Sequence, residues 1–152
     1  MLAGLGAPHW RPAARGAFLG LGLGTTRAHL VRAAIDGLAA SVTLLAGTVA
    51  SDLGGPLTVL RADGGLTRSR LLMQAQADLL QIPVEVCRIP DATALGVAAL
   101  ARIGIGQAAG VEQAVGPAVV QQVIEPRIGA DEAAERMAGF EAALAAILAA
   151  TL

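Results

Sequence analysis

Apolar residues at Leu30, Val31, Ala34, Ile35, Leu38, Val42, Leu45, Ala46 and Val49 recur at the spacing of helix turns. The run predicts a helix of about 24 residues, roughly 36 Å long at 1.5 Å per residue. Thr25 or Thr26 caps its start, the hydroxyl accepting an otherwise unpartnered backbone N–H. Gly54-Gly55-Pro56 stops it. A short strand, about Ala17–Leu21, precedes the helix, and residues 1–16 are Gly/Pro-rich and turn-like.

Beyond the glycines the rhythm changes. Leu57–Ala62 (LTVLRA) is a short continuous apolar run and predicts a buried strand. Asp63-Gly64-Gly65 turns it into a helix over about Thr67–Leu80, with Leu71, Leu72, Ala75 and Leu79 on one face. Ile82-Pro83 leads to a strand at Val84–Ile89, and Pro90-Asp91 opens a helix over about Ala92–Ile103. Val119–Ile124 reads as extended. Residues 131–150 predict a terminal helix with Met137, Phe140, Leu144, Ile147 and Leu148 at helical spacing. The order β-α-β-α-β-α, joined by turns too short to be linkers, predicts a single α/β layered unit with at least one parallel strand pair.

Composition narrows the function. Apolar residues make up 55 % of the 152, which excludes disorder. The net charge is −1, from 11 basic and 12 acidic side chains, and no basic stripe appears, which argues against nucleic acid. Every basic residue is arginine, so lysine chemistry is excluded. The lone Cys87 excludes a disulfide framework and a multi-cysteine zinc site, and reads as a buried thiol in a strand. The most apolar windows are interrupted by Asp36, Arg102 or Glu141, so no membrane span is expected and the chain is read as cytosolic.

The glycines raise the question of phosphate binding, because backbone N–H groups reach an anion only where no Cβ intervenes. Residues 18–30 read FLGLGLGTTRAHL. A Rossmann loop needs G-x-G-x-x-G, and Thr25 or Arg27 stands where the third glycine belongs. A P-loop needs lysine. Both common loops fail. Asp63-Gly64-Gly65, between a strand and a helix, is better placed to turn its amides toward a ligand. The junctions at 20–26 and 63–67 are candidates to converge on one nucleotide, and each also serves as a tight turn.

Three spaced stretches, LGAPHWRPAARGAFLGLGLGTTRAHLVRAAIDGLA, LRADGGLTRSRLLMQAQADLLQIPVEV and DATALGVAALARIGIG, resemble the C-terminal domain of the FGGY carbohydrate kinases, glycerol kinases above all. The tail IEPRIGADEAAERMAGFEAAL looks like that family's terminal helix. The resemblance implies a ribonuclease H-like (actin/hexokinase-type) α/β fold, of which residues 1–152 are an incomplete C-terminal, ATP-binding lobe. It implies ATP and Mg²⁺ as cofactors, and a polyol or sugar substrate, glycerol first, held mainly by an N-terminal lobe upstream of these residues. By resemblance, Gly24, Thr25, Asp63, Gly64, Gly65 and Ser69 face the nucleotide. Ser69 stands where glycerol kinases commonly carry asparagine, which shortens the reach toward the adenine side.

No catalytic residue and no metal ligand is assigned, since the family's catalytic aspartate lies upstream. Asp63 approaches Mg²⁺ through water or stabilises its own turn. His29 reads as a packing or hydrogen-bonding residue, His9 and Trp10 as loop anchors, Arg68 and Arg70 as solvated cations, and Asp91 as a helix N-terminal residue. The chain alone is expected to be inactive. The alternatives are a nucleotide- or partner-binding module without chemistry, and an inactive truncated kinase whose exposed apolar surface drives self-association.

Overall fold

The computed structural model describes residues 4–88, 91–117 and 119–150. In order come α1 (Arg27–Leu53), β1 (Leu60–Ala62), a 3-10 turn (Gly65–Arg68), α2 (Arg70–Leu80), β2 (Val84–Cys87), α3 (Ala92–Gly104), α4 (Val111–Val115), β3 (Val120–Ile124) and α5 (Ala130–Ala150). The sheet runs β1-β2-β3. β1 and β2 are parallel, Leu60 opposite Val84 and Ala62 opposite Val86. Such a pair needs a crossover, and α2 supplies it. β3 returns antiparallel to β2, Ile124 opposite Val84, with a register irregularity at Val86/Cys87.

Local chemistry explains the ends of α1. The Thr26 hydroxyl accepts from the His29 N–H, and His29 Nδ1 accepts from the Thr26 N–H at 3.2 Å. This reciprocal pair satisfies two N–H groups that the helix cannot. The hydrogen-bonding role expected for His29 is therefore what it has. Gly54 ends the helix at φ 71°, a left-handed conformation suited to glycine.

The core lies between α1, α2 and the sheet, where Ala39, Leu72, Met73, Ala75, Ala77, Val84, Val86 and Ile124 are buried together. The face of α1 that packs is its small one, Ala39, Ala40 and Ala46. Val31, Leu38, Leu45 and Val49, part of the predicted apolar face, are on the open side. α1 is apolar on more than one face, so periodicity alone could not select the packed one. α1 is also long and apolar enough to cross a membrane, contrary to the expectation from the interrupted windows. Its alanine face packs against α2, and the rest of its apolar surface is largely exposed.

Ala17–Leu21 is not a strand, and Phe18, Leu19 and Leu21 are exposed. Strand backbone needs a neighbour's N–H and C=O groups, and no described residue offers them there. β1 is confined to Leu60–Ala62, the stretch with a partner in β2. The helix expected from Thr67 is split, because Ser69 leaves helical geometry at ψ 95° and caps α2 itself. Leu71 is exposed, whereas Leu72 and Ala75 are buried. Cys87 ends β2 half-buried, and Ile89, expected to continue that strand, lies outside the described residues. Helix α4 was not foreseen; Ala114 buries against Ala99 and Ala108, and Arg102 donates to the Ala114 carbonyl at 2.7 Å.

Polar links tie α2 to the segment after β3. Asp78 Oδ1 accepts from the Arg127 N–H at 2.7 Å and from Gln74 Nε2 at 2.8 Å. Gln74 Nε2 also donates to the Glu125 carbonyl at 2.9 Å, and Gln81 Nε2 to that of Ile128 at 3.2 Å. These bonds set where α5 begins. Across the sheet Arg61 donates to Glu85 at 2.9 Å, and that carboxylate's hydrogen bond and charge raise the guanidinium above its ordinary range.

Candidate functional site

β1 ends at Ala62, and Asp63-Gly64-Gly65 follows directly, at the carboxyl end of a strand paired in parallel. Ligands approach open α/β sheets from that end. Gly64 has φ +86° and ψ −175°, a conformation that side-chain-bearing residues adopt only under strain. The Thr67 hydroxyl donates to the Gly64 carbonyl at 2.7 Å, and the Thr67 N–H donates to the same oxygen at 3.2 Å. The turn is thus held from within. A Cβ built on Gly64 or Gly65 meets open space, so neither glycine is there to relieve internal crowding. Their N–H groups donate to none of the described residues.

Ser69 caps α2, its hydroxyl oxygen accepting from the Leu72 N–H at 3.3 Å. The hydroxyl hydrogen remains as a donor. Asp63, Arg68 and Arg70 are exposed around this junction, and none of them joins an ion pair among the described residues. Asp63, Gly64, Gly65 and Ser69 therefore share one strand-to-helix junction.

Gly24 and Thr25 form a second turn. The Gly22 N–H donates to the Thr25 hydroxyl at 2.9 Å, and the Thr25 N–H donates to the Gly22 carbonyl at 3.0 Å. Thr25 is spent on closing this turn, and Thr26 is the cap of α1. Gly22 and Gly24 also face open space. No hydrogen bond joins this turn to the one at 63–69 among the described residues.

Asp91 caps α3, accepting from the Ala94 N–H at 3.0 Å, as expected. His9 is half-buried and borders an apolar cleft of about 340 Å³ between α1 and α5. Trp10 does not anchor the loop; it is 75 % exposed. No group of three or more His, Cys, Asp or Glu side chains gathers as a metal site among the described residues. Arg127 and Gln74 escaped the sequence reading. Together with Arg70 they border an open cavity of about 600 Å³ between α2 and β3.

The model of the FGGY family of carbohydrate kinases, C-terminal domain, matches residues 1–105. A glycerol kinase of Bordetella parapertussis is 44 % identical over 135 residues, covering 89 % of this chain and 27 % of the relative. A glycerol kinase of Thermus brockianus is 53 % identical over 103 residues, 68 % of this chain and 21 % of its own. The crystal structure of Plasmodium falciparum glycerol kinase with ADP superposes with a TM-score of 0.79 at 28 % identity, over 97 % of this chain and 29 % of that one. The chain thus spans little more than a quarter of the length of the Bordetella relative. The mixed α/β unit is part of the ribonuclease H-like fold of these kinases.

Proposed function

This chain belongs to the FGGY family of carbohydrate kinases, matching its C-terminal domain, and we propose that it is the ATP-holding part of a cytoplasmic, glycerol-kinase-like enzyme. The complete enzyme transfers the γ-phosphate of ATP to a polyol or sugar hydroxyl, with glycerol to glycerol 3-phosphate as the leading reaction. The glycerol kinase relatives and the ADP-bound neighbour support the substrate pair.

One observation carries the role of this chain. Gly64 and Gly65 present N–H groups without acceptors among the described residues, beneath open space, at the carboxyl end of β1. Such amides receive the negative oxygens of a nucleotide. In this reading the Ser69 hydroxyl donates to the nucleotide, and the Gly24 turn offers a second backbone approach. Mg²⁺ arrives with the phosphates, since it binds through one or two carboxylates and keeps several waters. Asp63 is the exposed carboxylate beside the glycines. Catalytic deprotonation of the substrate hydroxyl is assigned to none of these residues, so the chain alone is expected to phosphorylate nothing.

Thermal unfolding followed by circular dichroism tests the reading. Mg-ATP at ten times its Kd should stabilise the chain by about 1.4 kcal/mol. Gly65→Val should leave the ligand-free melt unchanged, because its Cβ meets open space, yet abolish the shift. A chain blind to ATP, or a Gly65→Val variant that still responds, overturns the assignment.

A further inference from the structure

The cavity of about 600 Å³ between α2 and β3 has the build of a strand-accepting groove. β3 is hydrogen-bonded to β2 on one side and is the last strand of the sheet. Gln122, Val123, Ile124 and Glu125 all border the cavity. Successive side chains of a strand leave on opposite faces. Three consecutive residues of β3, 122–124, with Glu125 just beyond its end, border one space, as they do where the main-chain edge of the strand lines it. Apart from the irregularity that leaves Gln121 without a partner in β2, the edge is unprotected: Val120–Ile124 reads VQQVI, without charge or proline, and Val123 is 50 % exposed. Unprotected edges of this kind accept an added strand.

The opposite wall gives the groove its chemistry. α2 contributes Leu71, which is exposed, and Arg70; the segment after β3 contributes Arg127. Neither arginine joins an ion pair among the described residues, and Glu125 is the one acidic residue bordering the cavity. Gln74, bonded to both Asp78 and the Glu125 carbonyl, ties the helix to the end of the strand and holds the two walls in register. We propose that this groove binds an extended, acidic segment of a partner polypeptide, which adds as a fourth strand beside β3. Its main chain pairs with the β3 edge, its apolar side chains cover Leu71 and Val123, and its carboxylates meet Arg70 and Arg127. A second copy of this chain fits less well, because it brings the same two arginines against one Glu125.

Selection of random nine-residue peptides displayed on phage against the whole chain tests this. Enriched peptides should alternate apolar and acidic residues and lack proline. Synthesised with a fluorescent label, they should bind at least tenfold more weakly to the Arg70→Glu/Arg127→Glu variant and to Val123→Lys. Unchanged melts of both variants would establish that each still folds. Bound peptide should slow amide exchange across Val120–Ile124. The proposal fails if no such peptide is enriched, if charge reversal leaves binding intact, or if binding leaves β3 exchange unaltered. It also fails if β3 becomes protected as the chain's own concentration rises, for the occupant is then a second copy.

Discussion

Gln76 and Asp78 stand two residues apart on α2, and both are buried. Asp78 is satisfied twice through Oδ1, whereas Gln76 Oε1 is buried without a partner among the described residues. An unsatisfied buried acceptor costs about 1–3 kcal/mol of desolvation. Gln76→Met keeps the volume and removes the acceptor, so it should raise stability by about 1–2 kcal/mol in urea titration. Asp78→Ala does the reverse: it strands the Arg127 N–H and should cost about 2–3 kcal/mol. Asp78→Asn keeps the accepting oxygen and should cost less than half as much. Equal losses for both Asp78 variants would mean that the bond to Arg127 contributes little. The sequence shows the QAQAD stretch plainly, but not which of its polar residues is paired. Those partners lie at Glu125 and Arg127, on a segment that joins α2 only when the fold closes.

Elements were legible in proportion to how locally they are held. A helix makes its backbone bonds within its own segment, so the cap at Asp91, the stop at Gly54 and the choice of Thr25 or Thr26 as the cap of α1 could be read from residue type, and the structure selects Thr26. A strand exists only with its neighbour. That is why Ala17–Leu21 reads as a strand and is not one here, and why LTVLRA shrinks to Leu60–Ala62. The glycine junction shows the same limit at finer grain. Gly64 and Gly65 look equivalent in sequence, yet only Gly64 has a positive φ. Gly64→Ala should lower stability by about 1–2 kcal/mol, the strain of a Cβ in that conformation. Gly65→Ala should change it by less than about 0.5 kcal/mol. A matched pair of thermal melts distinguishes them, and equal losses would show that the turn relaxes around either substitution.

At the scale of the molecule, the resemblance carried the fold, and composition carried only the exclusions. What neither could show was how the long helix is used. α1 gives its alanines to α2 and leaves Val31, Leu38, Leu45 and Val49 toward water, while Phe18, Leu19 and Leu21 are exposed in the preceding segment. Exposed apolar side chains spaced along one helix favour association. The chain by itself should therefore show a mass in sedimentation equilibrium that rises with concentration in the micromolar range. Leu38→Glu/Leu45→Glu should hold it at the mass of one chain without lowering its melting temperature, because these side chains are 49 % and 44 % exposed and leave no cavity behind. Val123→Lys, on the edge of β3, should not alter the association. If the lysine variant alone becomes monomeric, the sheet edge and not α1 is the sticky surface. A wild-type chain that stays monomeric throughout would mean that water tolerates this face and that it drives no association by itself.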